Sequence, residues 1–317
     1  MNRISIVCTF DNNYSQHCAV LLSSIFENNK KSFFDIYILS DFIDETNQSK
    51  LSRLVDNYSQ KLHYIQIDKK LFEGLPFGGK FSNISLATYY RLILPDVLPK
   101  SLNKILYLDC DIVVNDDISS LWNLNLQKNA VAGVEDSTRV SFNAPKRLGY
   151  PAIYSYFNAG VMLMNLSVLR EIQFTQKAFS YIRWHLKEIV YHDQDILNAL
   201  LYDKKIFLPI KWNVMECFLF RRPLIHSKYK QELCDTQRNP VIIHYTGKLK
   251  PWYKECTHPY KKTYYYYLTR TALFSDTPFL LYAKRKDKLF FITQKIFKWI
   301  MDHMRLGSYL YNVNLGK

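Results

Sequence analysis

The chain has 317 residues, 48% of them hydrophobic, enough for a full core in one large domain or two small ones. Forty-two Lys and Arg against twenty-eight Asp and Glu give a formal charge of +14, which favours anionic partners: nucleic acid, anionic lipid or a phosphorylated substrate. Six scattered cysteines form no CxxC pair, which argues against a zinc or redox motif and against a disulfide framework.

The first third alternates in period. "ISIVCTF" (4–10) reads as a buried strand, and residues 14–29 have helical spacing at Cys18, Leu21, Leu22, Ile25 and Phe26. "FDIYILS" (34–40) predicts a second strand, 45–58 a helix with Leu51, Leu54 and Val55 inward, and "LHYIQI" (62–67) a third strand. This alternation predicts an α/β fold with a parallel sheet covered by helices on both faces. A loop from Gly74 to Gly79 follows, then a helix from Ser85 that is expected to stop at Pro95. A strand is predicted over 104–109, a helical turn over 117–122, and strands over 130–134, 158–165 and 240–247, with a helix over 190–203. Cys8 and Cys110 lie in strand-like runs and are expected to be small buried hydrophobes. The N-terminal apolar stretch is short for a signal peptide, and no apolar run reaches about 18 residues, so no transmembrane helix is expected.

The run "KILYLDCDIV" (104–113) ends in two carboxylates. In a strand, residues i and i+2 share a face, so Asp109 and Asp111 project together at the strand's carboxyl end. That end is where open α/β sheets bind ligands. Two close carboxylates repel unless a cation lies between them, and such hard oxygen ligands suit Mg²⁺ or Mn²⁺. An acidic surface turn, continued by "NDD" (115–117), is the plainer alternative.

Six segments together resemble glycosyltransferase family 8, in particular bacterial lipopolysaccharide and lipooligosaccharide α-galactosyl- and α-glucosyltransferases. They are "FDNNY" (10–14), "SLATYYRL" (85–92), "ILYLDCDIVV" (105–114), "FNAGVMLMN" (157–165), "HDQDILN" (192–198) and "HYTGKLKPW" (244–252), in the family's order between about residues 3 and 260. The resemblance implies a GT-A-type, Rossmann-like fold with a mostly parallel central sheet. It implies retaining, metal-dependent transfer of a hexose, galactose or glucose, from a UDP-sugar to a surface-glycan acceptor. Asp109 and Asp111 match the family's metal-binding Asp-x-Asp and His244 its third ligand, holding Mn²⁺ or Mg²⁺ against the diphosphate. Lys250 matches a lysine that reaches the diphosphate, and Gly247 lets backbone approach phosphate.

The same resemblance places Asp11, Asn13 and Tyr14 on uridine, with the tyrosine ring stacked on uracil. By residue type alone, Asp11 and Asn13 read as helix caps. Arg91 matches a donor-contacting arginine; by itself it would be a helix-surface residue. Asp136, Asn158 and Asp193 match residues that hold hexose hydroxyls. Asn158 and Gly160 could equally form a plain turn, and Asp193 an N-cap. Cys110, within the donor-site triplet, stands where relatives have a small or aliphatic residue and is expected to face away from the metal. Gln194 occupies the position of a candidate nucleophile, but an amide is a poor one, which favours departure and attack on one face of the sugar with Gln194 positioning groups.

The chain divides into a catalytic domain, 1–275, and a basic aromatic tail, 276–317. Apolar residues at Leu289, Ile292, Ile296, Phe297, Ile300 and Met304 fall at helical intervals among lysines, the pattern of a helix lying in an anionic membrane interface. In the resembling enzymes this end attaches to the inner face of the plasma membrane, where a lipid-linked acceptor sits. A helix packed on the domain is the alternative. A tyrosine-rich nucleic-acid-binding protein, a non-catalytic sugar-binding relative and a self-glucosylating enzyme are competing readings; the chain has no nucleic-acid motif, and no nucleic-acid partner is expected.

Overall fold

The computed structural model describes residues 3–73, 75, 85–220, 222–247, 249–271 and 274. The loop at 74–79, apart from residue 75, and the tail at 276–317 lie outside the described residues. The opening segment folds as the alternation predicts: β1 (Arg3–Thr9), α1 (Ser15–Asn28), β2 (Phe33–Ser40), α2 (Glu45–Asn57) and β3 (Lys61–Gln66). Asp44 caps α2 by accepting from the Asn47 amide, and a one-turn 3-10 helix, Asn12–Tyr14, leads into α1.

A 3-10 helix over Leu86–Ile93 runs into α3 (Leu94–Val97). Pro95 thus stands in the first turn of α3 rather than ending the helix, because a first-turn residue needs no intrahelical N–H. Next come β4 (Lys104–Leu108), β5 (Ile112–Val114), α4 (Ser119–Trp122), β6 (Val131–Glu135), α5 (Thr138–Ser141) and α6 (Ala144–Leu148). Then follow β7 (Phe157–Asn165), α7 (Leu166–Glu171), α8 (Phe174–Trp184), α9 (His192–Leu201), β8 (Lys205–Phe207), β9 (Val214–Met215), α10 (Lys230–Arg238), β10 (Ile242–His244) and α11 (Lys261–Leu268).

A seven-stranded sheet has the order β3-β2-β1-β4-β7-β6-β8. Its pairs are parallel except those of β7, which is antiparallel to β4 and β6. Side chains of β4 alternate between two cores: Leu106 and Leu108 join α1 and α2 on one face, Ile105 and Tyr107 join α8, α9 and the 3-10 helix on the other. A second, three-stranded sheet, β5-β10-β9, was not expected. It forms because the chain leaves the large sheet after Leu108 and pairs Ile112 with His244 instead.

That departure corrects the predicted strand over 104–109. Asp109, Cys110 and Asp111 are the junction between the sheets, not the end of one strand. The reversed direction of β7 then places its first residues beside the end of β4: Leu108 pairs with Val161, and the Asp109 amide donates to the Gly160 carbonyl at 2.9 Å. Asn158 and Gly160 are therefore buried within a strand, not in a turn. Among the described residues no helix is long and apolar enough to cross a membrane.

Candidate active site

Three strand ends meet at the sheet junction. Asp109 and Asp111 come from the β4–β5 link, and His244 ends β10, one step in register from Asp111. One ligand atom from each of the three lies within 4.8 Å of the others. His244 Nε2 is 3.3 Å from Asp111 Oδ1 and 3.9 Å from Asp109 Oδ2. Two carboxylate oxygens and one imidazole nitrogen facing one point fit a hard or borderline divalent cation. The convergence comes from the tertiary pairing rather than from the pleat of a single strand.

Each ligand is held from behind. Asp109 Oδ1 accepts from Arg91 Nη2 at 2.8 Å and from the Tyr107 hydroxyl at 2.9 Å. Arg91 is buried, not on a helix surface, with its guanidinium over the Tyr107 ring and a second bond to the Ala159 carbonyl at 2.8 Å. Burial alone would raise the Asp111 carboxyl, but the Lys250 ammonium beside it holds it far below the usual carboxylate range. Lys250 Nζ sits 2.6 Å from Asp111 Oδ2 and 2.6 Å from the Tyr245 carbonyl. Its ammonium thus rests on Asp111, the second carboxylate of the pair.

Gly160 lies directly behind Asp109 and His244. A Cβ there would be 2.2 Å from His244 Cε1 and 2.9 Å from Asp109 Oδ2, so only glycine leaves room for both side chains. At Gly247 the space over the backbone is taken by the Glu216 carboxylate, 1.9 Å from where a Cβ would stand.

The remaining predicted residues line the same region in two groups. Asp136 Oδ2 accepts from Asn158 Nδ2 at 3.0 Å and from Gln194 Nε2 at 2.9 Å, and Gln194 Oε1 accepts from the Ala159 amide at 2.9 Å. Asp193 is buried in the first turn of α9 and does not cap it; α9 begins at His192, which follows an uncapped Tyr191. His192 carries a φ of 52°, a left-handed conformation uncommon outside glycine, immediately before Asp193 and Gln194. Arg91 Nε is 3.0 Å from Asp193 Oδ2, yet it directs its proton to the Thr88 carbonyl, and Asp193 Oδ2 accepts no hydrogen bond. The guanidinium is committed to Asp109, and burial raises the Asp193 carboxyl to about 7, against the pull of Arg91.

At the other edge, Asp11 caps the Asn12–Tyr14 turn by accepting from the Asn13 amide at 3.0 Å. Asn13 is exposed within that turn rather than capping it. The Tyr14 ring is partly exposed, edge-on to Trp252 at 5.9 Å, and His17 stacks on the same indole at 3.5 Å. Trp252 was visible only as the last residue of "HYTGKLKPW". Cys110 turns its side chain into the core with Cys8 and Cys18, where burial pushes the Cys18 and Cys110 thiols well up, so only its backbone borders the acidic pair.

Two further residues matter that no local pattern marked. Asn213, wholly buried at the end of the 3-10 helix Ile210–Trp212, contacts His244 Nδ1 through Oδ1 at 2.9 Å and Asn158 Oδ1 through Nδ2 at 2.9 Å. Asp195, two residues after Asp193, is saturated by Arg147, the Tyr156 hydroxyl and the amides of Val190 and Tyr191. The two acids of "HDQD" therefore differ in kind: Asp195 anchors the loop before α9, and Asp193 borders the Arg91–Asp109 pair.

The family model for glycosyl transferase family 8 matches residues 5–256. The chain belongs to glycosyltransferase family 8. It is 30% identical over 271 residues to General stress protein A of Bacillus subtilis, covering 84% of this chain and 93% of that protein. It is 30% identical over 277 residues to a lipopolysaccharide 1,2-glucosyltransferase of Escherichia coli K12, covering 87% of this chain and 80% of the relative. The crystal structure of the galactosyltransferase LgtC with donor and acceptor sugar analogues superposes with a TM-score of 0.74 at 25% identity, over 84% of this chain and 96% of that one. The fold is thus the GT-A type, and a glycosyltransferase of this family is expected to take a nucleotide-sugar donor and a glycan acceptor.

Proposed function

We propose that this family 8 chain is a retaining hexosyltransferase that moves galactose or glucose from a UDP-sugar to a lipopolysaccharide, lipooligosaccharide or related surface glycan, with Mn²⁺ or Mg²⁺ held by Asp109, Asp111 and His244. The observation that carries the reading is the convergence of those three side chains on one point from two different sheets. Bound there, a divalent cation supplies positive charge against the diphosphate that leaves as the sugar bond breaks.

The chain's own residues do the rest. Arg91 and Tyr107 aim the Asp109 carboxylate by charge-assisted bonds that leave its second oxygen toward His244. Lys250 stands beside Asp111 with an ammonium that can donate to a phosphate oxygen. The partly exposed Tyr14 ring offers aromatic surface to the uracil at the first strand–helix turn. Asp136 and Asn158 offer polar atoms for sugar hydroxyls. Gln194 is tethered at both ends of its amide, to Asp136 and to the Ala159 amide, which suits a positioning role rather than attack on the anomeric carbon. In this scheme the leaving phosphate oxygen takes the acceptor's proton, and both events occur on one face of the sugar. The similarity to a lipopolysaccharide glucosyltransferase of Escherichia coli and to the galactosyltransferase LgtC motivates the two hexoses and the glycan acceptor.

The basic tail is proposed to hold the enzyme on the anionic inner face of the plasma membrane, next to a lipid-linked acceptor. Deleting 279–317 should abolish pelleting with anionic vesicles. For the chemistry, a panel of UDP-sugars is tested for hydrolysis with Mn²⁺, with Mg²⁺ and with EDTA, then for transfer to lipid-A-core oligosaccharides. Hydrolysis of UDP-galactose or UDP-glucose that needs the cation is expected. Equal turnover in EDTA, or no turnover of any UDP-hexose, refutes the reading. A covalent glycosyl adduct trapped on Gln194 or Asp193 refutes the one-face mechanism.

A further inference from the structure

We infer that Asn213 is a positioning residue: oriented by Asn158, it holds His244 with its proton on Nδ1, so that the Nε2 lone pair faces Asp109 and Asp111. The juxtaposition is a chain of four buried side chains, His244–Asn213–Asn158–Asp136, linked at 2.9, 2.9 and 3.0 Å. The inference rests on the metal reading above for its purpose, but not for its geometry.

An amide has two ends that differ only in being donor or acceptor, and an imidazole nitrogen can be either. Polarity must therefore come from groups that have no choice. Two such groups lie at the far end of the chain. The Gly160 backbone N–H, which can only donate, meets Asn158 Oδ1 at 3.0 Å. The Asp136 carboxylate, which as an anion only accepts, meets Asn158 Nδ2 at 3.0 Å. Both require the same orientation of Asn158, with its oxygen toward Asn213. Asn213 must then present Nδ2 to that oxygen, which turns its own Oδ1 toward His244 Nδ1. An amide oxygen only accepts, so His244 Nδ1 must carry a proton.

The consequence is at the other ring nitrogen. Nε2 is the atom that faces the acidic pair, 3.3 Å from Asp111 Oδ1. With the proton committed to Nδ1, a neutral His244 has its lone pair there, the form a metal ligand needs. All four members are buried, so water cannot cheaply replace a missing partner. The same Asp136 carboxylate also holds Gln194, so one anion sets both the metal-ligand tautomer and the amide beside the reacting sugar.

The test reads the tautomer directly. Protein labelled with ¹⁵N at histidine is measured by NMR at about pH 9, above the ordinary imidazole range, with and without diamagnetic Mg²⁺. The His244 signals are assigned by their loss in His244→Ala. Wild type should show a protonated Nδ1 and an unprotonated Nε2 in both samples. A protonated Nε2 with bare Nδ1 overturns the inference, whether or not any metal binds. In Asn213→Ala, Mn²⁺ affinity measured by electron paramagnetic resonance should fall about 10- to 100-fold. Asn213→Asp keeps the acceptor for Nδ1–H but sets a carboxylate oxygen against Asn158 Oδ1, so it should recover only part of that loss. Unchanged Mn²⁺ affinity in Asn213→Ala also overturns the inference, whereas absence of Mn²⁺ binding in wild type would strike the metal reading alone. Should Asn213→Ala fail to fold, the wild-type tautomer decides.

Discussion

Gly160→Ala is the sharpest perturbation the site offers. The added methyl would begin 2.2 Å from His244 Cε1, 2.8 Å from His244 Nδ1 and 2.9 Å from Asp109 Oδ2. Nothing flexible gives way, because the ring is fixed by Asn213 and the carboxylate by Arg91 and Tyr107. To regain ordinary carbon contact the imidazole must retreat by more than about 1 Å. Metal–ligand distances tolerate about 0.2 Å, so the displaced ring no longer serves as a ligand. Losing one of three protein ligands should weaken Mn²⁺ binding by at least about 100-fold, near 2.7 kcal/mol, and lower kcat/KM with it. Overpacking should cost the fold about 1–3 kcal/mol, leaving a folded protein to measure. Gly133→Ala is the control: its methyl meets the Phe157 ring at 3.1 Å and the backbone carbonyl of Asn158 at an ordinary 3.6 Å, touches none of Asp109, Asp111 or His244, and should leave Mn²⁺ affinity unchanged. Titration calorimetry with Mn²⁺, beside urea unfolding, separates the two effects. A Gly160→Ala protein that binds Mn²⁺ as wild type does would refute the packing argument.

Gly247→Ala should be milder, less than about 10-fold in kcat/KM, because the obstacle is the far end of a long side chain, the Glu216 carboxylate, where a rotamer shift costs about 1 kcal/mol; a loss as large as that of Gly160→Ala would show that backbone approach at this position matters more than the space. Arg147→Ala leaves the wholly buried Asp195 without its bidentate partner and should destabilise the fold by about 3 kcal/mol in urea titration; a change below about 0.5 kcal/mol would mean the Tyr156 hydroxyl and the backbone amides suffice without it. Asp193 has a folded pKa raised to about 7 against an unfolded value of about 3.9. The folded state then binds the extra proton between those values, so this group's contribution to stability falls as pH rises from about 4 to 7. Asp193→Asn, measured in EDTA, should match wild type near pH 4 and become progressively more stable than it toward pH 8. A difference that stays flat across that range would show Asp193 ionised throughout.

Much of the scaffold is legible along the chain because burial has a local period. "ISIVCTF" and "FDIYILS" are continuous apolar runs, and Leu51, Leu54 and Val55 recur at helical spacing, so β1, β2 and α2 follow from neighbours alone. The acidic triplet after an apolar run and the order of six short segments likewise marked Asp109, Asp111 and His244. What local period does not carry is which distant segments pair. The antiparallel insertion of β7, the second sheet that brings His244 onto Asp111, and the burial of Arg91 between Asp109 and Asp193 all depend on contacts across tens to more than a hundred residues. Asn213 shows the limit most plainly. In "IKWNVM" it is an unremarked polar residue, and its role exists only because β7 and β10 deliver Asn158 and His244 to its two ends. Residue types along the chain placed a carboxylate pair after a buried strand, and the family resemblance marked that pair as the expected cation site. Three-dimensional pairing decided which nitrogen, which glycine and which buried amide complete it, because hydrogen-bond polarity and steric room are properties of neighbours in space.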